Sequence, residues 1–440
     1  MAEKYFYGYS KREWLRLVVC YVIFFLFGGI ESSEGVYYGL MKTDLQIPYS
    51  VQGYLVSMNS WAFVLGSPLL GVLMTYVNVK PILVGGFVAY LVAYCVLFKV
   101  SLLWVVFIFL FIEGLGGVCL DVGMNTLSTV VFVTHRGVMM SYLHFFYGMG
   151  STVGPIYSSK MLAVFNRGYR GIFIGLMIPA VVGIVLTLYT HLSLKKEPLP
   201  DSDVSSREVK SEAKQSLLED EQPETVPSKP LVSVDVNVAG ESSPQNDLSV
   251  WQCFLSLMVW LLGINMGAVY AIESVTVNWA PLYLHDVYGM SIEEEGAKFV
   301  SLFYLFYTVA RLVTGFLVDF LGDIVSMAVF SFVLIALYVV GFLMGKSGMM
   351  VLAVSGLLIS PLYPTAITVP MQVFGEKAKN TISVILCIAC LVNLVIQVLI
   401  GYVNQCVGAA WGYRSMSIAM CILIILCMGI TYLRLKHSSR

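Results

Sequence analysis

Long apolar runs, broken by short polar or Gly/Pro-containing segments, organise this chain of 440 residues. Crossing a bilayer takes about 20 predominantly apolar residues, because the hydrocarbon core is about 30 Å thick and an α-helix rises about 1.5 Å per residue. On that criterion the pattern predicts helices near 14–40, 50–76, 81–100, 103–133, 138–164 and 171–193. A second set follows near 251–284, 297–320, 324–345, 348–373, 379–407 and 413–435. The expected fold class is an all-α membrane protein with twelve transmembrane helices in two six-helix bundles, over residues 1–193 and 251–440. Between them, 194–250 is rich in Ser, Glu, Asp and Pro and has no aromatic residue. Such a segment cannot bury enough apolar surface to offset its ordering entropy. It is expected to be a disordered acidic linker that leaves each bundle free to move as a body.

Composition narrows the class. The chain is 58% hydrophobic and 12% charged, with a mean hydropathy of +0.81, against roughly 25% charged residues in soluble domains. With 26 basic and 27 acidic residues, net charge suggests no nucleic-acid partner. The nine cysteines fall in or near apolar runs and read as packing residues, and the Cys387/Cys390 pair has no soluble redox context. No nucleophile–base pair, metal-ligand cluster or phosphate-cradling loop is visible, so neither an enzyme nor a metal or organic cofactor is expected. The polar, basic start of the chain shows no cleavable signal, and the first helix reads as its own anchor. Both termini and the linker share one side in a twelve-span arrangement, with about 17 of the 26 Lys and Arg residues. Lys160, Arg167 and Arg170 fall opposite. The balance predicts cytoplasmic termini under the positive-inside rule.

A few side chains stand out inside the apolar runs, since a charge at bilayer depth costs at least ~2.5–3.5 kcal/mol. Asp121, in FIFLFIEGLGGVCLDVGMNTLSTVVFV, is of the kind retained where it faces a protein interior or a water-filled cavity. Asn125 lies one turn on, along the same face. When protonated, Asp121 can donate a hydrogen bond to a solute hydroxyl, and when ionised it only accepts. That suits a proton-coupled solute site; a buried acid that merely bonds a neighbouring helix is the alternative. Glu31 and Glu34 share a helical face near the end of the first helix, and each disfavours ionisation of the other away from water, as a proton carrier requires. Solvation at the outer headgroups is the alternative for this pair. Glu113, two turns before Asp121, is expected near the opposite end of its helix, in water. Glu273 is the deep carboxylate of the second half, suited to a cation, a solute hydroxyl or a lock to Arg311. His144 reads as a solute ligand or a proton-sensitive group, against a packing histidine. Tyr147 and Trp279 offer the rings and polar tips a sugar uses, though aromatic residues also populate membrane interfaces. Asn393 and Gln397 are one turn apart and serve either a cavity face or interhelical bonding.

At this point the chain resembles the major facilitator superfamily. ARLVTGFLVDFLGD in the second half carries Arg311, Gly315, Asp319 and Gly322 at the spacing of that superfamily's cytoplasmic gate motif. The resemblance implies a gate in which Arg311 and Asp319 pair at the membrane edge. The equivalent stretch of the first half, GVLMTYVNVKP, keeps only Gly71 and Lys80, and Thr75 stands where the acid is usual. Within the superfamily the chain is similar to the fucose-permease-like branch, which includes sodium-dependent glucose transporters. Gly117, Cys119, Leu120, Asp121 and Asn125 match the fourth-helix stretch of that branch. YLHFFYGMGSTVGP resembles its fifth helix and places His144 and Tyr147 where members meet the sugar. Tyr270, Glu273 and Trp279 approximate its seventh-helix pattern, with the acid three residues on rather than four. SPLYPT at 360–365 is like its tenth-helix element, while Leu391, Val392 and Asn393 stand where its eleventh helix has glycines.

The resulting expectation is a secondary transporter of a small polar solute. The resemblance makes that solute a monosaccharide and supplies alternating access. Asp121, assisted by Glu34 and Glu31, is the expected proton-coupling group, with sodium the nearest variant. Substrate contacts are expected from Asp121, Asn125, His144, Tyr147, Glu273, Trp279 and Asn393, and the chain is expected to be a monomer in the plasma membrane. The rivals are an uncoupled facilitator, a carrier of an amphiphile or organic anion, and a non-transporting receptor or scaffold of the same fold.

Overall fold

Runs this apolar must satisfy every backbone N–H and C=O internally when they lie in lipid, and helices do so within a single segment. The computed structural model of the chain describes residues 11–132, 136–190, 250–375 and 378–438, and among them is no β-strand. In the first half, α1 (Lys11–Ser32) and α2 (Glu34–Leu45) form one interrupted span. It is followed by α3 (Tyr49–Tyr76), α4 (Val79–Leu97), α5 (Leu103–Val131), α6 (Arg136–Phe165) and α7 (Tyr169–Tyr189). In the second half a short α8 (Val250–Leu255) leads into α9 (Leu257–Tyr288). A π-helical turn at Ile292–Gly296 opens α10 (Ala297–Leu321), and α11 (Asp323–Leu343) follows. The next span is assembled from a 3-10 turn (Gly345–Gly348), α12 (Met349–Ala353), α13 (Ser355–Ile359) and α14 (Leu362–Phe374). Last come α15 (Ala378–Cys406) and α16 (Trp411–Ser438).

Eleven stretches among the described residues are long and apolar enough to cross a membrane. The twelfth expected span, α6, is 30 residues long and so also long enough, but Ser141, His144, Ser151, Thr152, Ser158 and Lys160 dilute its apolar character. The chain is therefore an all-α, multi-pass membrane protein. The expected linker over 194–250 lies outside the described residues, apart from Val250 at the start of α8.

Two spans are interrupted, each for an identifiable reason. Between α1 and α2, the hydroxyls of Ser32 and Ser33 both donate back to the Gly29 carbonyl, at 3.3 and 2.7 Å. Serine back-bonding of this kind competes with the helix ladder and bends it. The break falls between Glu31 and Glu34 and so sets the angle between them. The α12–α14 span is interrupted where Pro361 and Pro364 enter, because each removes a backbone donor from the ladder.

Small residues fix how closely the helices cross, as is usual where no hydrophobic drive distinguishes helix from lipid. On α6, Gly150 and Gly154 lie against the backbone of α1, and a methyl group at either would collide with the carbonyl oxygen of Phe25 or Gly29. Gly28 of α1 makes the reciprocal approach to the Tyr147 carbonyl. We expect Gly150→Ala to overpack this crossing and cost about 1–3 kcal/mol, read as a lower thermal midpoint in detergent. Gly429→Ala should not lower the midpoint, since nothing lies within 4 Å of the added carbon there and Ala favours the helix over Gly.

Candidate functional site

Distal here denotes the membrane side reached by the end of α2, and proximal the side from which α1 starts. At the distal end the two halves are packed tightly together. Gly35 of α2 lies against the Val277 carbonyl of α9, with no room for a methyl group, and Gly53 of α3 faces Gly401 of α15. Polar contacts reinforce this seal. The Tyr49 hydroxyl donates to Asp286 Oδ2 at 2.5 Å, the Tyr49 amide donates to Gln405 Oε1 at 3.0 Å, and the Tyr54 and Tyr402 hydroxyls meet at 3.1 Å. Beside these distal contacts lies a cavity in mid-span.

That cavity surrounds about 520 Å³ of empty space, its mouth included, and both halves line it. The α1/α2 break delivers Glu31 and Glu34, α3 adds Asn59 and Ser60, and α6 adds Tyr147. From the second half, α9 presents Tyr270, Glu273, Ser274 and Asn278, while α10 and α15 contribute Tyr304 and Asn393. The mixture of rings, amides and a few charges is that of small-molecule sites.

Neutral donors hold the carboxylates in place. Tyr147 donates to Glu31 Oε2 at 2.7 Å, and Asn59 Nδ2 donates to Glu34 Oε1 at 2.9 Å. Tyr307, just behind the lining, donates to Glu273 Oε2 at 3.1 Å and accepts from Arg311 Nη2 at 3.1 Å. Arg311 also reaches across the halves to the His144 carbonyl at 3.4 Å. A second network ties the second half to the first. Trp279 Nε1 donates to Gln397 Oε1 at 2.6 Å, Gln397 Nε2 donates to Asn393 Oδ1 at 3.0 Å, and Asn393 Nδ2 donates to Ser60 Oγ at 2.8 Å. Asn393 thus serves both uses open to it from the sequence, cavity face and interhelical bond.

The structure gathers Glu31, Glu34, Tyr147, Glu273 and Asn393 on one lining and leaves the other expected residues off it. Asp121 is half-buried, bonded to Asn125 Nδ2 at 2.9 Å, within electrostatic reach of Glu31 and of Tyr363 in the other half. Eight residues separate it from Glu113, so it sits about 12 Å further toward the proximal end of α5. His144 packs its ring edge against Phe24, and Trp279, only 1% exposed, is enclosed in the second bundle.

Two expectations are corrected. Glu113 is 2% exposed rather than in water, because the Tyr37 and Tyr94 hydroxyls each donate to its Oε1 at 2.8 Å and replace the solvent. Arg311 and Asp319 make no ion pair among the described residues. Eight residues along α10 separate them by about 12 Å of rise, and Arg311 is turned inward to Tyr307 while Asp319 is exposed. Asn59, Ser274 and Asn278 were missed in the sequence. Asn59 carried the same signal as Asp121, a polar side chain within an apolar run.

Residues 19–395 match the family model of the Major Facilitator Superfamily. The chain belongs to that superfamily of membrane transporters. No curated protein sequence matches it. Among solved structures it is similar to a bacterial homologue of the human lysosomal transporter Spinster, in an inward-facing, unoccupied conformation, at 12% identity and TM-score 0.70, covering 97% of each chain. The nucleoside transporter NupG is 14% identical at TM-score 0.69, with 97% of this chain and 100% of that one covered. A D-xylose–proton symporter is 12% identical at TM-score 0.65, over 93% of this chain and 97% of that one. At these identities the likeness is one of fold.

The tight fit at Gly35 exists only while the distal end is closed, so an added methyl there penalises that state selectively. Gly35→Ala is expected to shift the balance toward a distally open form by about 1–3 kcal/mol. The check is labelling of Asn278→Cys, in an otherwise cysteine-free chain, by an impermeant thiol reagent applied from the distal side. The rate should rise by roughly 5- to 150-fold, as about 1–3 kcal/mol implies.

Proposed function

We propose that this chain is a proton-coupled secondary transporter that carries a monosaccharide-sized polar solute by alternating access, with its termini on the cytoplasmic side of the plasma membrane. The observation that carries the reading is the mid-span cavity whose lining is shared by both halves and whose distal end is sealed by contacts between them. A site of that geometry is exposed first to one side and then to the other when the halves rock about it. The lining of tyrosines, amides and carboxylates supports a hydroxylated solute, whose hydroxyls need polar partners and whose ring faces need apolar or aromatic ones. The resemblance of the fourth, fifth and seventh helices to the fucose-permease-like branch supports a monosaccharide in particular.

Coupling follows from the acids. An ionised carboxylate in water-poor surroundings is unfavourable without a counter-charge, and a proton supplies one. Solute and proton are coupled if both favour the same conformer. Glu31 and Glu34 lie on the lining and flank the break in the first span, where a change in protonation acts on a bent element. They therefore carry the coupling proton, and Asp121, toward the proximal side, serves as a station on the proton's path.

Proteoliposome uptake tests this with a panel of neutral and amino monosaccharides, with and without an inward proton gradient. Wild-type protein should accumulate at least one of them only under the gradient, with no requirement for sodium. Glu31→Gln and Glu34→Gln should each abolish accumulation while keeping exchange of preloaded solute, and Asp121→Asn should slow uptake without uncoupling it. No uptake of any monosaccharide would overturn the sugar reading, and gradient-independent equilibration would make the chain a facilitator.

A further inference from the structure

Charge inside the cavity is one-sided. Glu31, Glu34 and Glu273 line it, and among the described residues no Lys, Arg or His does. Glu273 has an indirect counter-charge, because Tyr307 bridges it to Arg311 through two hydrogen bonds of 3.1 Å. Glu31 and Glu34 have no such link. Each receives its side-chain hydrogen bond from an uncharged donor, Tyr147 or Asn59. Glu113 and Asp121 lie within electrostatic reach of the pair and add negative potential without bringing a cation.

Two neighbouring carboxylates in that situation need about two positive charges, since each unpaired ion out of water costs several kcal/mol. One coupling proton supplies half of that. The other half is left to the solute. An ammonium group answers this charge in chemistry as well as in sign: it is a compact cation with three donors, and ionised carboxylates only accept. The rest of the lining, with Asn59, Ser274, Asn278 and Asn393, offers amides and a hydroxyl that both donate and accept, which match sugar hydroxyls.

From this we infer that the solute is a hydroxylated primary amine of monosaccharide size, an amino sugar with a free ammonium group. The Glu31–Glu34 pair holds that ammonium together with the coupling proton. This rests on the monosaccharide reading above and narrows it. A neutral hexose leaves one carboxylate of the pair without a partner, and an N-acetylated sugar puts a neutral amide where the cation belongs.

The test is equilibrium binding to the purified full-length protein in lipid nanodiscs, at a pH where the amine is protonated. Glucosamine, galactosamine and mannosamine are each compared with the neutral parent hexose and with the N-acetyl derivative. At least one amino sugar should bind more than ~10-fold tighter than both of its uncharged counterparts, the size of effect that close charge pairs give at interfaces. Replacing both acids by glutamine should erase the preference while leaving weak binding of the neutral hexose, which also shows that the variant is folded. Equal or tighter binding of the neutral sugars would overturn the inference and leave the monosaccharide reading intact. Failure of every sugar, charged or neutral, would overturn both.

Discussion

A carboxylate away from water must find a partner, and much of the interior of the first bundle is organised around meeting that demand. Glu113 takes two phenol hydroxyls, Tyr37 from α2 and Tyr94 from α4, so one acid on α5 ties together three helices. Glu31 takes Tyr147 from α6, and Glu34 takes Asn59 from α3. Glu113 is the acid answered most fully, and it lies behind the lining. Glu31 and Glu34, with one uncharged donor each, face the cavity. Glu113 and the two lining acids thus differ in how much of their hydrogen-bonding and charge demand the protein itself meets.

The same economy governs the contact between the halves. On the alternating-access reading proposed above, this contact closes and reopens, and large interdigitating side chains would have to be repacked in every cycle. Close backbone approach at Gly35, and between Gly53 and Gly401, gives a seal with little side chain to rearrange. Short hydrogen-bonded contacts at the distal rim, Tyr49 with Asp286 and Tyr54 with Tyr402, add direction, and water can replace them when the halves part. The break between α1 and α2 sits between this seal and the cavity, so the segment carrying Glu34 belongs both to the site and to the gate. Under the proposed coupling, protonation and closure act on one short piece of chain.

Much of the fold was legible in the sequence, because the length and polarity of apolar runs are local properties and a bilayer tests them one helix at a time. Eleven spans stand out strongly by hydropathy; α6, though its apolar pattern is visible over 138–164, is weaker, since the polar residues that dilute it include Ser151 and Ser158, which are buried against α1 and the α1/α2 break. Gly150 and Gly154 were visible as small residues, but their partner helix was not. For the candidate site, rarity singled out residues without indicating where they sit. Glu31, Glu34, Glu273, Tyr147 and Asn393 meet on one lining, whereas Asp121, the most conspicuous acid in the sequence, lies toward the proximal end.

By itself the sequence determined that the chain crosses a membrane many times and that carboxylates such as Asp121 and Glu273 fall within its apolar runs. Each of these follows from local transfer free energy. Only the tertiary structure decided which acids share a cavity, that Glu113 is closed off by two tyrosines, and that Arg311 turns to Tyr307 instead of Asp319. Those outcomes depend on the azimuth and height at which different helices meet, and helical periodicity gives no relative phase between one helix and the next.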